Sequence, residues 1–173
     1  MKDRLFLIGP MGAGKTSIGK LVAVALGYEF IDSDRVIEES TGVDIPTIFY
    51  YEGETGFRER ECEIIDALTQ RKKIVLATGG GAILKPENRK HLAARGFVVH
   101  LQVSTKQQLK RTSKDENRPL LQVADPAAKL KQLAIERDPL YADIADKQID
   151  TDRGHMHSIK RKILDAFQQE NWR

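Results

Sequence analysis

The chain predicts an α/β fold: a five-stranded parallel sheet with helices on both faces. Three observations predict it. Short strand-like runs at 5–8, 29–32, 74–77, 97–101 and 148–150 alternate with helical patterns from end to end, as strands joined by crossover helices do. Several of these runs are apolar throughout, the mark of strands buried on both faces. A glycine-rich turn stands between the first run and the first helix. With 173 residues, 40% hydrophobic and 31% charged, the chain suits one three-layer domain, 1–173.

That turn reads Gly9-Pro10-Met11-Gly12-Ala13-Gly14-Lys15-Thr16 and fits G-x-x-x-x-G-K-[ST], the phosphate-cradling P-loop. Gly12 and Gly14 lack a Cβ, so the backbone can curl around an anion with its N–H groups inward. The next helix carries Ile18, Leu21, Val22 and Ala25 at helical spacing, with Gly27 to close it. It aims its positive end at the same phosphates. In this pattern Lys15 reaches the β- and γ-phosphates and the Thr16 hydroxyl ligates Mg²⁺.

The second strand runs into Asp32-Ser33-Asp34. Ligands of open α/β sheets bind beyond the carboxyl ends of the strands, so one aspartate can face a metal and the other a substrate hydroxyl. The plainer alternative is a cap for the helix expected over 34–40. Two amphipathic stretches follow, 45–49 and 58–70, separated by Glu52-Gly53-Glu54-Thr55-Gly56. Most charges of Phe57-Arg58-Glu59-Arg60-Glu61 suit a solvated face, yet one arginine could turn inward to grip a carboxylate or phosphate. The third strand ends in Thr78-Gly79-Gly80-Gly81, and three glycines there favour close approach of a ligand over a plain turn. A helix with Pro86 in its first turn is expected over 85–94, closed by Gly96. The charge-dense stretch from Lys110 to Leu121 reads as a mobile lid, about 112–124, on which Arg118 could bring positive charge to a transferring phosphoryl group. A helix from about Pro126 is expected to stop at Asp138-Pro139. The last helix carries Ile159, Ile163, Leu164 and Phe167 on one face.

Taken together these pieces resemble shikimate kinase, on residues 9–17, Asp32-Ser33-Asp34, Gly53-Glu54 with Phe57-Arg58, Gly79-Gly80-Gly81, Arg118-Pro119-Leu120-Leu121, and Glu136-Arg137 with Pro139-Leu140-Tyr141. The resemblance implies a P-loop kinase fold with a helical substrate-binding region at about 33–61. It implies transfer of the ATP γ-phosphate to the 3-hydroxyl of shikimate. Gly12, Ala13, Gly14, Lys15, Thr16 and Ser17 would hold the phosphates, and Thr16 with Asp32 the Mg²⁺. Asp34 would bind ring hydroxyls and serve as base. Arg58 and Arg137 would grip the carboxylate, Glu61 would orient Arg58, and Gly80 and Gly81 would pack on the ring. Arg118 would close onto the γ-phosphate, Arg111 would stack on adenine, and Gly154 would offer backbone to its edge.

Other readings compete: a gluconate-type kinase, a catalytically silent nucleotide switch, or a nucleic-acid-binding ATPase. The arginine set argues against the first two. A formal charge of +3 and 6% aromatics give the third little to work with. The single Cys62 excludes an internal disulfide and suits a reducing compartment. The four histidines, 91, 100, 155 and 157, show no metal-ligand spacing, and His155 and His157 read as surface residues. No leader or membrane span is expected, which points to a cytoplasmic protein working on small molecules, with no nucleic-acid or membrane partner and as a monomer.

Overall fold

The computed structural model describes residues 2–112 and 123–172. Five strands form one all-parallel sheet in the order β2-β3-β1-β4-β5: β1 (Arg4–Ile8), β2 (Glu29–Asp32), β3 (Ile74–Ala77), β4 (Phe97–Gln102) and β5 (Lys147–Asp150). The helices are α1 (Lys15–Leu26), α2 (Ser33–Thr41), α3 (Ile45–Gln70), α4 (Pro86–Arg95), α5 (Thr105–Thr112), α6 (Pro126–Ile144) and α7 (Met156–Asn171). After β1 the chain goes first to one side of the sheet and later to the other, so the loop after β1 opens at the topological switch point where such folds bind ligands.

The side chains of β1 alternate between two cores. Leu5 and Leu7 join α1 and α7 through Val22 and Ile163. Phe6 and Ile8 join α3, α4 and α6 through Ile65, Leu92 and Tyr141. A third, small cluster of Ile37, Ile48 and Phe57 fastens α2 to the first part of α3, within the helical region expected over 33–61.

The stretch at 52–56 separates two helical halves, as expected: α3 is kinked at Gly53, which leaves helical geometry (φ 69°, ψ −177°). Arg60 spans the kink with a two-pronged grip on Glu52, at 2.7 and 2.7 Å, which ties the two halves together. One element boundary differs from expectation: Pro139 does not end α6, which continues to Ile144. The carbonyl that loses its partner to Pro139 belongs to Ile135, an exposed residue, where water can replace the lost bond. Beyond the proline, buried Tyr141 keeps the last turns packed on the sheet. Tertiary burial overrides the local signal here.

Candidate active site

Two clefts meet at the carboxyl ends of β1, β2 and β3. One, of about 240 Å³, is lined by Gly12, Gly14, Lys15, Thr16, Ser17 and Asp32. The other, of about 200 Å³, is lined by Arg58, Glu61, Gly81, Arg137 and the apolar Phe49 and Phe57. Met11, Asp34, Gly79 and Gly80 border both, so a group bound in one lies against a group bound in the other.

In the first cleft every carbonyl from Gly9 to Gly12 accepts a side-chain donor. Lys15 Nζ donates to Gly9 O at 2.7 Å and Pro10 O at 2.9 Å. Gln108 donates to Met11 O at 3.0 Å, and Arg111 to Gly12 O at 2.9 Å. Ala13 packs its methyl into the core beneath, and its N–H donates to Pro10 O at 3.3 Å. Thr16 Oγ1 donates to Asp32 Oδ2 at 2.8 Å, while Asp32 Oδ1 accepts from the Asp34 N–H at 3.2 Å. Asp32 thus caps α2 with one oxygen, the plainer of its two expected roles, and accepts from the P-loop threonine with the other.

Arg111 also donates to Thr151 Oγ1 at 3.2 Å and to its carbonyl at 2.8 Å, so its guanidinium edge joins the P-loop to the segment after β5. Gly154 lies farther along that segment, exposed, with φ 125°, and lines neither cleft. Arg118 lies outside the described residues, as does most of the expected lid.

The second cleft is built from buried charge. Arg58 donates to Glu61 at 2.6 Å and to Glu54 at 3.2 and 3.3 Å. Glu61 is 0% exposed, and burial raises its pKa against the pull of Arg58 and Arg137. Burial, then repulsion from Glu61 and Asp32, pushes Asp34 up to about 7 in spite of Lys15 and Arg58. Asp34 Oδ1, Glu61 Oε1 and Arg137 Nε are buried polar atoms with no hydrogen-bond partner among the described residues. Such atoms are costly, and three around one cleft mark it for a polar ligand.

The glycines of 79–81 all line the second cleft, and two of them also make room for the protein's own side chains. A Cβ on Gly79 would lie 2.7 Å from Asp34 Oδ1 and 2.8 Å from Glu61 Oε1, and one on Gly81 would lie 2.1 Å from an Arg58 nitrogen. Both are glycine so that the protein's own charged groups can close over the backbone. Gly80 has ordinary clearance, 3.5 Å or more, and is held by other means. Its carbonyl accepts from the Tyr141 hydroxyl, and the neighbouring Gly79 N–H donates to buried Ser33 Oγ at 3.1 Å. Sequence reasoning missed Ser33, Gln108 and Tyr141 as site residues. The signals for Tyr141 were its place in the Pro139-Leu140-Tyr141 match to the family and its i, i+4 spacing from Arg137, which puts both on one helix face.

His155 and His157 are exposed, as expected. No group of three or more His, Cys, Asp or Glu residues among those described could hold a metal. A Thr–Asp pair of hard oxygens beside a phosphate cradle still fits Mg²⁺, which takes one or two protein ligands and completes its shell with phosphate and water.

The family model for shikimate kinase matches residues 11–168. A shikimate kinase of Methylococcus capsulatus is 55% identical over 175 residues, covering 100% of this chain and 98% of its own. One from Halorhodospira halophila is 54% identical, covering 96% and 94%. The solved structure of shikimate kinase from Acinetobacter baumannii in complex with shikimate superposes with a TM-score of 0.96 at 48% identity, covering 100% of this chain and 97% of that one.

Proposed function

The chain belongs to the shikimate kinase family, and on that premise we propose how its residues divide the work of moving the ATP γ-phosphate to the 3-hydroxyl of shikimate. It is an ATP-dependent phosphotransferase with an alcohol acceptor. The observation that carries the division of labour is that Asp34 borders both clefts.

The first cleft takes the phosphates. Backbone N–H groups of the 12–17 stretch face them, that of Ala13 excepted because it donates to Pro10 O, and Lys15 exchanges its loop carbonyls for the β- and γ-phosphates. Thr16 and Asp32 hold Mg²⁺, which when bound neutralises phosphate charge. Arg111, fixed by its edge, offers its flat face to adenine, and Gly154 offers backbone nearby. The second cleft takes shikimate. Arg58, oriented by Glu61, and Arg137 hold its carboxylate, while Gly80 and Gly81 lie against the ring. Phe49 and Phe57 exclude water.

In the transfer the 3-hydroxyl oxygen bonds to the γ-phosphorus and the bond to the β,γ-bridging oxygen breaks. Asp34 takes the hydroxyl proton. A carboxylate with a pKa of about 7 is a far better base than an ordinary one, and a substantial fraction of it is still ionised near neutral pH. Arg118 adds charge at the γ-phosphate as the lid closes. The enzyme is taken as a single domain working as a monomer. Cys62 is a free thiol, in keeping with a cytoplasmic location, and among the described residues no helix is long and apolar enough to cross a membrane.

A coupled assay with ATP, Mg²⁺ and a panel of shikimate, quinate, gluconate and nucleoside monophosphates tests this reading. Turnover should be fastest with shikimate. Faster turnover of gluconate or a nucleotide would overturn it.

A further inference from the structure

Tyr141 has no part in the roles above, yet it holds the wall that the two clefts share. It sits on α6, 1% exposed, and its hydroxyl donates to the Gly80 carbonyl. Its ring stacks on His100 of β4, with centroids 4.8 Å apart and planes 28° apart. His100 is buried too, and burial, aided by the nearby Lys15 charge, lowers its pKa to about 4. The imidazole is therefore a neutral, flat platform at working pH. With its ring fixed from that side, Tyr141 has a defined direction in which to present its hydroxyl.

In a trans peptide the carbonyl and the N–H point opposite ways, and the described chain has no cis peptide. The Gly80 carbonyl is turned toward Tyr141, which lines a separate small cavity with Pro10 and Leu133. The N–H of the same peptide unit, that of Gly81, must therefore point away from Tyr141. No hydrogen bond among the described residues takes up this N–H, and Gly81 lines the acceptor cleft while Tyr141 does not. A peptide between two glycines has little conformational preference of its own, so some outside contact has to fix its orientation.

We propose that Tyr141 is a positioning residue for acceptor binding: by holding the Gly80 carbonyl it locks the 80–81 peptide with the Gly81 N–H facing the acceptor cleft, where it donates to an oxygen of the bound acceptor. This rests on the reading of that cleft as the shikimate site. The hydroxyl itself touches neither substrate. Its effect passes through that peptide plane and through Arg137, whose side chain also bonds the hydroxyl, so it bears on acceptor affinity and leaves the phosphate cradle alone.

The test is Tyr141→Phe, which removes one oxygen and keeps the ring on His100. Loss of one neutral hydrogen bond's worth of orientation should raise KM for shikimate roughly threefold to tenfold. kcat and KM for ATP should stay within about twofold, the pattern of lost ground-state binding. A merely structural role would lower the melting temperature and move both KM values together or neither, and either result overturns the proposal. A second measurement needs no variant. In the unaltered enzyme the Gly81 amide should exchange freely with solvent and become protected by shikimate but not by ATP alone. Protection without shikimate, or none with it, also overturns the proposal. Failure of the wild-type chain to phosphorylate shikimate would be a different result, one that sinks the functional reading itself.

Discussion

The two clefts are built by opposite means. The proposed phosphate cleft comes largely from one unbroken stretch, 12–17, and is proposed to bind through backbone N–H groups. Its outward carbonyls are held by Lys15, Gln108 and Arg111. The proposed acceptor cleft gathers Asp34, Arg58, Glu61 and Arg137 from three helices, two early in the chain and one late, and Asp34, Glu61 and Arg137 each carry a buried atom with no hydrogen-bond partner among the described residues. Backbone can recognise a phosphate on any sequence that makes the turn. Recognition of one particular carboxylated polyol needs charges placed in three dimensions, held apart from water at a cost in stability. Stability and specificity should therefore be coupled in the second cleft and uncoupled in the first.

The largest effect expected is from Lys15→Ala. Its ammonium contacts the carbonyls of its own loop, so the fold should survive with a melting temperature close to that of the wild type. kcat should drop roughly 10²–10³-fold, as when one preorganised transition-state donor is removed. A variant with near-normal turnover would undo the assignment of the phosphate cleft.

Arg58→Ala and Arg137→Ala come next. A charge-assisted contact to a carboxylate is worth roughly 1.5–3 kcal/mol, so KM for shikimate should rise roughly tenfold to over a hundredfold while KM for ATP stays put. Arg58→Ala should also destabilise the fold, by roughly 3–5 kcal/mol, because it strands the buried Glu61. Adding Glu61→Gln should restore much of the melting temperature and none of the shikimate affinity. If the double variant is no more stable than Arg58→Ala, the coupling drawn above is wrong.

pH should separate activity from stability. With Asp34 raised to about 7, kcat/KM for shikimate should fall about tenfold per unit below pH 7, as the base is protonated. Stability runs the other way. Between the ordinary carboxylate pKa and about 7 the folded state binds more protons at Asp34 than the unfolded chain does, so this group's contribution weakens as pH rises through that window. A kcat/KM profile flat from pH 5 to 8 would mean that Asp34 is not the base.

The smallest effect belongs to Gln108→Ala. It frees one P-loop carbonyl and should raise KM for ATP by about threefold with no change for shikimate. Equal effects on both substrates would blur the division between the clefts.

The same contrast explains what was legible in the sequence. The phosphate cleft is contiguous, and its motif, flanking strand and helix could be read directly. The inner strands β1, β3 and β4 were legible because burial on both faces leaves an apolar run. Arg58 and Arg137 were legible mainly through family resemblance, since a lone arginine in a charged helix does not announce which way it turns. Ser33, Gln108 and Tyr141 act on backbone atoms 46, 97 and 61 residues away, and no local pattern carries that. The course of α6 past Pro139 was hidden for a related reason: the burial that sustains it is contributed by other parts of the chain.

Asp32 and Asp34 stand two residues apart, yet the account assigns them to different clefts, Asp32 with Thr16 at the phosphates and Asp34 on the shared wall facing the acceptor. Titrating Mg²⁺ against activity for Asp32→Asn and Asp34→Asn tests this most directly, because each change keeps the shape and removes the charge. Asp32→Asn should need more Mg²⁺ and regain much of its activity in excess metal. Asp34→Asn should lose kcat and shikimate affinity at every Mg²⁺ concentration. Recovery of Asp34→Asn by metal, or equal recovery of both, would contradict the division of the site into a donor half and an acceptor half.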